Sequence, residues 1–149
     1  MRIGRLVAMS ALVLAMAGTA QAQEKKVVST PNAPEAIGPY SQAIRAGKTL
    51  YLAGQISIDP KTKQVVAGTI EEQTKLVLEN LKAVLEADGL TMDNVVSTSV
   101  FLKDLNEFGK MNEVYGTYFK AAPPARATVE VARLPRDVKV EISAIAVAP

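Results

Sequence analysis

The sequence predicts an α+β fold in which two helices pack on one face of a β-sheet of five or six strands. Three observations predict it. Two stretches carry apolar residues at helical spacing, within 69–88 and 106–119. Most of the remaining apolar residues alternate with polar ones or form short β-rich runs. Proline and glycine separate those runs, and strands occur before, between and after the helices rather than in one block.

Taken in order, Val27 to Thr30 reads as a first strand. Pro31, Pro34, Gly38 and Pro39 make the next stretch an ordered turn region. Ser41 to Ala46 is a short strand, Gly47-Lys48 a turn, and Thr49 to Ile58 a longer strand. Asp59 to Lys63 turns by composition, and Val65-Val66 returns as a short arm. Thr69 to Asp88 is the clearest helix. Thr69 caps it, Glu71 and Glu72 sit where the helix dipole favours negative charge, and Gly89 ends it. Its stripe is Ile70, Val77, Leu78, Leu81, Val84 and Leu85. Val95 to Leu102 is a strand. Asn106 is expected to cap a second helix, whose stripe is Phe108, Met111, Tyr115 and Tyr118 or Phe119. Pro123-Pro124 stops it, Ala125 to Ala132 is a strand, Leu134 to Asp137 a turn, and Val138 to Val147 the last strand.

Residues 1–22 read as an export leader and 23–149 as the domain. Arg2 and Arg5 precede an apolar run, and Ala20-Gln21-Ala22 is a small-x-small cleavage triplet. The run is shorter than the roughly 20 apolar residues a spanning helix needs. The expected location is therefore the periplasm, with no membrane attachment after cleavage. Loss of Arg2 and Arg5 takes the basic residues from 17 to 15, equal to the 15 acidic ones. A neutral domain lacks the basic footprint of a nucleic-acid binder. With no histidine and no cysteine, imidazole bases, thiolate nucleophiles, disulfides and the usual zinc ligand sets are excluded. Chemistry falls to carboxylates, hydroxyls, Lys, Arg and backbone groups. Phosphate-binding and dinucleotide loops and the G-x-S-x-G elbow are missing.

Strand faces suggest both assembly and site. In the last strand Val138, Val140, Ile142, Ala144 and Ala146 share one face; Lys139, Glu141, Ser143, Ile145 and Val147 share the other. In 125–132, Ala127, Val129 and Val131 oppose Arg126, Thr128 and Glu130. The smooth apolar faces are expected under the helices. The mixed faces, with Tyr51 and Phe101 among them, are expected at an oligomer interface. Arg126 follows a rigid Pro123-Pro124-Ala125 lead and presents a planar fork suited to a carboxylate. Glu141 is expected on an adjoining strand, on the same mixed face. From spacing alone, a structural ion pair between strands is the stronger reading of the two. Tyr40 is set by Gly38-Pro39; Gly54 marks either close backbone approach to a ligand or a bulge; Asn112 sits beside Met111 and Tyr115.

Six blocks in order give the chain a resemblance. They are Asn32-Ala33-Pro34 with Ile37 to Gln42; Ala53-Gly54-Gln55-Ile56; Asn80 to Leu85; Val100 to Leu105; Asn112 with Tyr115; and Pro124-Ala125-Arg126 with Glu130 to Pro135 and Val138 to Ile142. Together they resemble the RidA/YjgF family of reactive intermediate/imine deaminases, over essentially all of Val27 to Ala148. The resemblance implies a chorismate-mutase-like fold and a homotrimer whose sheets form a central barrel, with three pockets between subunits. It implies cofactor-free and metal-free deamination of 2-aminoacrylate and related 2-imino acids to 2-oxo acids. Arg126 would bind the substrate carboxylate, and Glu141 would position water and shuttle protons. Tyr40, Asn112, Thr128 and the backbone at Gly54 would line the pocket. The chain departs from the family pattern at Ala53, where many members have serine, at Thr128, where many have cysteine, and at Ser143, where a second glutamate is frequent. A non-catalytic periplasmic binder of small carboxylates or 2-oxo acids is the alternative. Endoribonuclease or translation-inhibitor activity, attributed to relatives, is a further one, against which the neutral charge and missing histidines stand.

Overall fold

The computed structural model of the chain describes residues 24–149. The leader expected at 1–22 lies outside the described residues. The main elements are β1 (Lys25–Val28), β2 (Ala43–Ala46), β3 (Thr49–Gln55), α1 (Ile70–Ala87), β4 (Val95–Leu102), α2 (Phe108–Tyr118), β5 (Ala125–Glu130) and β6 (Val140–Val147). The strands form one six-stranded sheet in the order β1-β2-β3-β6-β4-β5. Neighbours are antiparallel except β4 and β5, which are parallel. This is the α+β arrangement the sequence predicts.

The two helices are crossovers. Since β3 and β4 both run antiparallel to β6, α1 joins two parallel strands, as α2 joins β4 to β5. Crossovers of one hand place their helices on one face of a sheet. There Val77, Leu78, Leu81, Val84 and Leu85 of α1 and Met111 and Tyr115 of α2 meet the sheet. The sheet supplies Leu50, Leu52, Val100, Leu102, Val140, Ile142, Ala144 and Ala146 to the same core. Among the described residues, no helix is long and apolar enough to cross a membrane.

Local chemistry sets the helix ends. Thr69 Oγ1 accepts from the Glu72 amide at 3.2 Å, and Glu72 Oε2 accepts from the Thr69 amide at 2.8 Å. This reciprocal capping box satisfies two amides that α1 leaves free. Gly89, at φ +74, takes the left-handed turn that ends the helix. The second helix begins differently from expectation. Asp104, not Asn106, supplies the acceptor: its Oδ1 takes the Asn106 amide at 2.8 Å and starts a 3-10 turn, Leu105–Glu107, ahead of α2.

Other departures are short. β1 lies two residues before its expected position. β3 stops at Gln55 because its pairing with β6 slips between Leu52 and Gln55. Val65 makes only an isolated bridge with Ile58. The face assignment of β5 is reversed, as the site geometry requires.

Candidate functional site

Tyr40, Gly54 and Glu141 come together. With Ile37, Ala53, Ile56 and Pro135 they line a cavity of about 360 Å³. A groove of about 400 Å³ between the helices, lined by Lys75, Glu113, Val114, Thr117 and Tyr118, contains none of the residues singled out from sequence.

Buried polar side chains hold the cavity's loops in place. Gln42 is 4% exposed. Its Oε1 accepts from the Thr30 amide at 2.7 Å, and its Nε2 donates to the Pro34 carbonyl at 2.7 Å and the Thr30 carbonyl at 3.1 Å. The Gln42 carbonyl accepts from the Ala53 amide at 2.9 Å. The proline-rich loop that presents Ile37 and Tyr40 is thereby tied to the middle of β3. Asn80 of α1 does the same on the other side, donating to the Ile58 carbonyl at 3.0 Å and the Ile56 carbonyl at 3.3 Å. Both residues fall in the sequence blocks, but their role is visible only once their partners, distant in sequence, are known.

Gly54 sits in the register slip of β3, and there the backbone closes on Glu141. A Cβ at position 54 would lie 2.9 Å from Glu141 Cδ and closer still to Oε1. Glycine is needed here for space, not for an unusual φ. Of the two sequence readings of Gly54 the bulge holds, and the close neighbour is the Glu141 side chain of the same chain. Glu141 is half-buried, and burial raises its carboxyl above the usual carboxylate range. Among the described residues, no hydrogen bond or ion pair takes up that carboxyl. It is an acid poised in an apolar wall.

Arg126 is elsewhere. It pairs in register with Thr98, and Thr98 with Ala144, and both of these are buried under the helices. Glu141 pairs with Phe101, and Phe101 with Val129, on the opposite face. Two expectations are corrected. The strands carrying Arg126 and Glu141 do not adjoin, because β4 lies between them. Nor do the two residues share a face. β5 is an edge strand, and it turns Arg126, Thr128 and Glu130 to the helix side while Ala127 and Val129 join the open face. The offsets amount to roughly 10 Å along the strands and roughly 10 Å across them, with the sheet in between. No Arg126–Glu141 pair forms within one chain.

Arg126 has its own surroundings. Its guanidinium carbon lies 4.5 Å from the Tyr115 ring centroid and 5.5 Å from that of Phe108. The Tyr115 hydroxyl is hydrogen-bonded to Thr98 Oγ1 at 2.7 Å. Burial raises the Tyr115 phenol above its usual range, against the opposing pull of Thr98 and Arg126. Asn112 lies four residues after Phe108 and three before Tyr115, so helical spacing puts it on this face of α2. Thr128 is two residues from Arg126 on the same side of β5, and its Oγ1 is buried with no hydrogen-bond partner among the described residues. The six predicted site residues thus fall into two groups: Tyr40, Gly54 and Glu141 at the cavity, and Arg126, Asn112 and Thr128 on the helix side, along β5 and α2. Among the described residues no group of His, Cys, Asp or Glu is clustered as metal ligands are.

Comparison with known proteins agrees with this architecture. A family model described as Endoribonuclease L-PSP matches residues 30–148. A RutC family protein of Pyrococcus horikoshii is 59% identical over 122 residues, 82% of this chain and 97% of that protein. The 2-iminobutanoate/2-iminopropanoate deaminase of Mus musculus is 51% identical over 123 residues, 83% of this chain and 91% of that protein. The crystal structure of the YjgF gene product of E. coli superposes with a TM-score of 0.80 at 48% identity, covering 83% of this chain and 99% of that one. With the match spanning nearly the whole described domain, the chain belongs to the Endoribonuclease L-PSP family, the RidA/YjgF family that its sequence blocks resemble.

Proposed function

We propose that the chain hydrolyses small 2-enamino and 2-imino acids, of the 2-aminoacrylate type, to 2-oxo acids and ammonia, and that it does so as a homotrimer. One observation carries the reading. Glu141, its carboxyl raised above the usual range by burial, sits in an apolar cavity on one face, and an arginine that no carboxylate among the described residues pairs with sits on the other. The deaminase name of relatives at about half identity supports the choice of chemistry.

In the proposed assembly, three open faces close into a barrel. Arg126, Asn112 and Thr128 of one subunit meet Tyr40, Gly54 and Glu141 of the next. Arg126 holds the substrate carboxylate through its paired N–H groups, and this fixes the reacting carbon over Glu141. Protonated Glu141 gives its proton to the enamine carbon, forming the protonated imine. The carboxylate then takes a proton from water as that water adds to the imine carbon. Returned to nitrogen, the proton makes ammonia the leaving group, and the hydroxyl proton goes back to Glu141 as the C–N bond breaks. Only water is consumed, so no cofactor or metal enters the balance. A raised carboxyl suits both halves of this cycle near neutrality.

The test generates a 2-imino acid in situ with an amino-acid oxidase and traps what remains with semicarbazide. Wild type should speed its loss, with Arg126→Ala and Glu141→Gln each slower by at least about a thousandfold. Full activity in Arg126→Ala would remove the carboxylate role. Binding of 2-oxo acids without turnover would leave the binder reading. Arg126-dependent cleavage of RNA would replace the deaminase with the activity in the family's description.

A further inference from the structure

We propose that Tyr115 and Phe108 are positioning residues for Arg126: their rings hold the guanidinium where a carboxylate would otherwise do so, leaving its charge and N–H edges free for an incoming carboxylate. The inference rests on the reading of Arg126 as the substrate's anchor and adds what keeps that anchor in place.

An arginine on an edge strand has many rotamers open to it, and an acidic neighbour usually settles the choice. Here the neighbouring acids are taken. Glu107, next to Phe108, pairs with Lys139 at 2.8 Å. Glu130, on the same face of β5, accepts from the Leu105 amide at 2.8 Å. Among the described residues Arg126 has no ion pair. What it has is two ring faces, at 4.5 and 5.5 Å. The ring quadrupole attracts the cation from its flat side, an effect of about tenfold in an equilibrium when partly desolvated. A guanidinium lying on a ring keeps its N–H groups in its own plane, along its edge. An acid in place of the rings would neutralise the group and compete with the substrate.

The platform is itself fixed. Tyr115 is 5% exposed, its ring lies 4.6 Å from that of Phe119, and its hydroxyl is tied to Thr98 at 2.7 Å. Thr98 is the register partner of Arg126 on β4. The ring and the arginine are therefore anchored to the same pair of neighbouring residues, and their separation is set by the sheet.

The experiment is steady-state kinetics on an oxidase-generated 2-imino acid, with thermal melts, for Tyr115→Phe, Tyr115→Leu, Phe108→Leu and Arg126→Ala. Tyr115→Phe keeps the ring and strands Thr98. It should melt lower while its KM stays within about twofold of wild type. Tyr115→Leu should raise KM about tenfold and Phe108→Leu about threefold, with kcat changed less. Phe108 is 36% exposed, so that variant remains decisive if Tyr115→Leu does not fold. KM following the ring and not the melting temperature supports positioning. Unchanged KM in the leucine variants, with Arg126→Ala impaired, overturns it alone. Full activity in Arg126→Ala overturns the anchor and the platform together.

Discussion

The covered and open faces of the sheet are made by the same strands and end in opposite environments. On the covered side of β6, Val140, Ile142, Ala144 and Ala146 are all buried. On the open side, Ile145 and Val147 are 36% and 38% exposed, beside Tyr51 at 50% and Val129 at 45%. The two α-helices among the described residues both lie on one side. An apolar stripe of that size left in water forgoes about 25 cal/mol for each Å² that a partner would cover. The polar groups are divided in the same way. The cavity with Glu141 reaches the open face, while Arg126 lies at the rim of the covered one. A single chain therefore keeps its two groups of candidate residues apart, on opposite faces of the sheet.

Three substitutions probe that contrast. The largest effect is expected for Ile145→Glu, which puts a charge in the middle of the open face. It should yield monomers by sedimentation and lower deaminase activity at least about a hundredfold, because burying an unpaired charge in an interface is costly. A fully active monomer would mean that one chain holds a whole site. Next is Gly54→Ala. The three atoms nearest the added Cβ all belong to the Glu141 side chain, which can turn away, so the fold should persist. The displaced carboxyl should slow turnover by about ten- to a hundredfold, in keeping with the loss of a positioned acid/base. Unaltered kinetics would show that the Gly54–Glu141 approach is incidental.

The smallest effect concerns stability. Burial raises the Glu141 carboxyl, so the folded chain holds that proton more tightly than the unfolded one. Its stabilising contribution is complete below the usual carboxylate range and is lost as pH rises through the raised value. Glu141→Gln should therefore melt about 2 °C higher than wild type near neutrality, with the gain vanishing near pH about 4, even though its activity is gone. A melting temperature lowered at neutral pH would indicate an ion pair or hydrogen bond to Glu141 instead.

Much of this was legible in the sequence because it is local. Thr69 with Glu72, Gly89 and the apolar stripe of 70–85 specify α1 from contacts within a turn or two, and Val95 to Leu102 is a strand at both ends as read. The face of β5 was not legible. Alternation tells which residues of a strand lie together but not which side they take, and the expectation that the apolar side seeks the helices fails on an edge strand whose other face is itself apolar. For the same reason Arg126 and Glu141, each readable as a candidate, were placed on one face when they lie on two. The cavity's supports, Gln42 and Asn80, bond across 8 to 24 residues, and no short-range pattern encodes that.

That the working site takes Arg126 from one chain and Glu141 from another is the core of the proposed assembly. It is tested most directly by mixing two inactive proteins, Arg126→Ala and Glu141→Gln, through joint unfolding and refolding at equal concentrations. Random assembly of a ring would unite an intact Arg126 with an intact Glu141 in about a quarter of the sites. The mixture should recover about a quarter of wild-type deaminase activity while each variant refolded alone stays inactive. A mixture as inactive as its components, with mixed oligomers demonstrated by mass spectrometry, would contradict the claim.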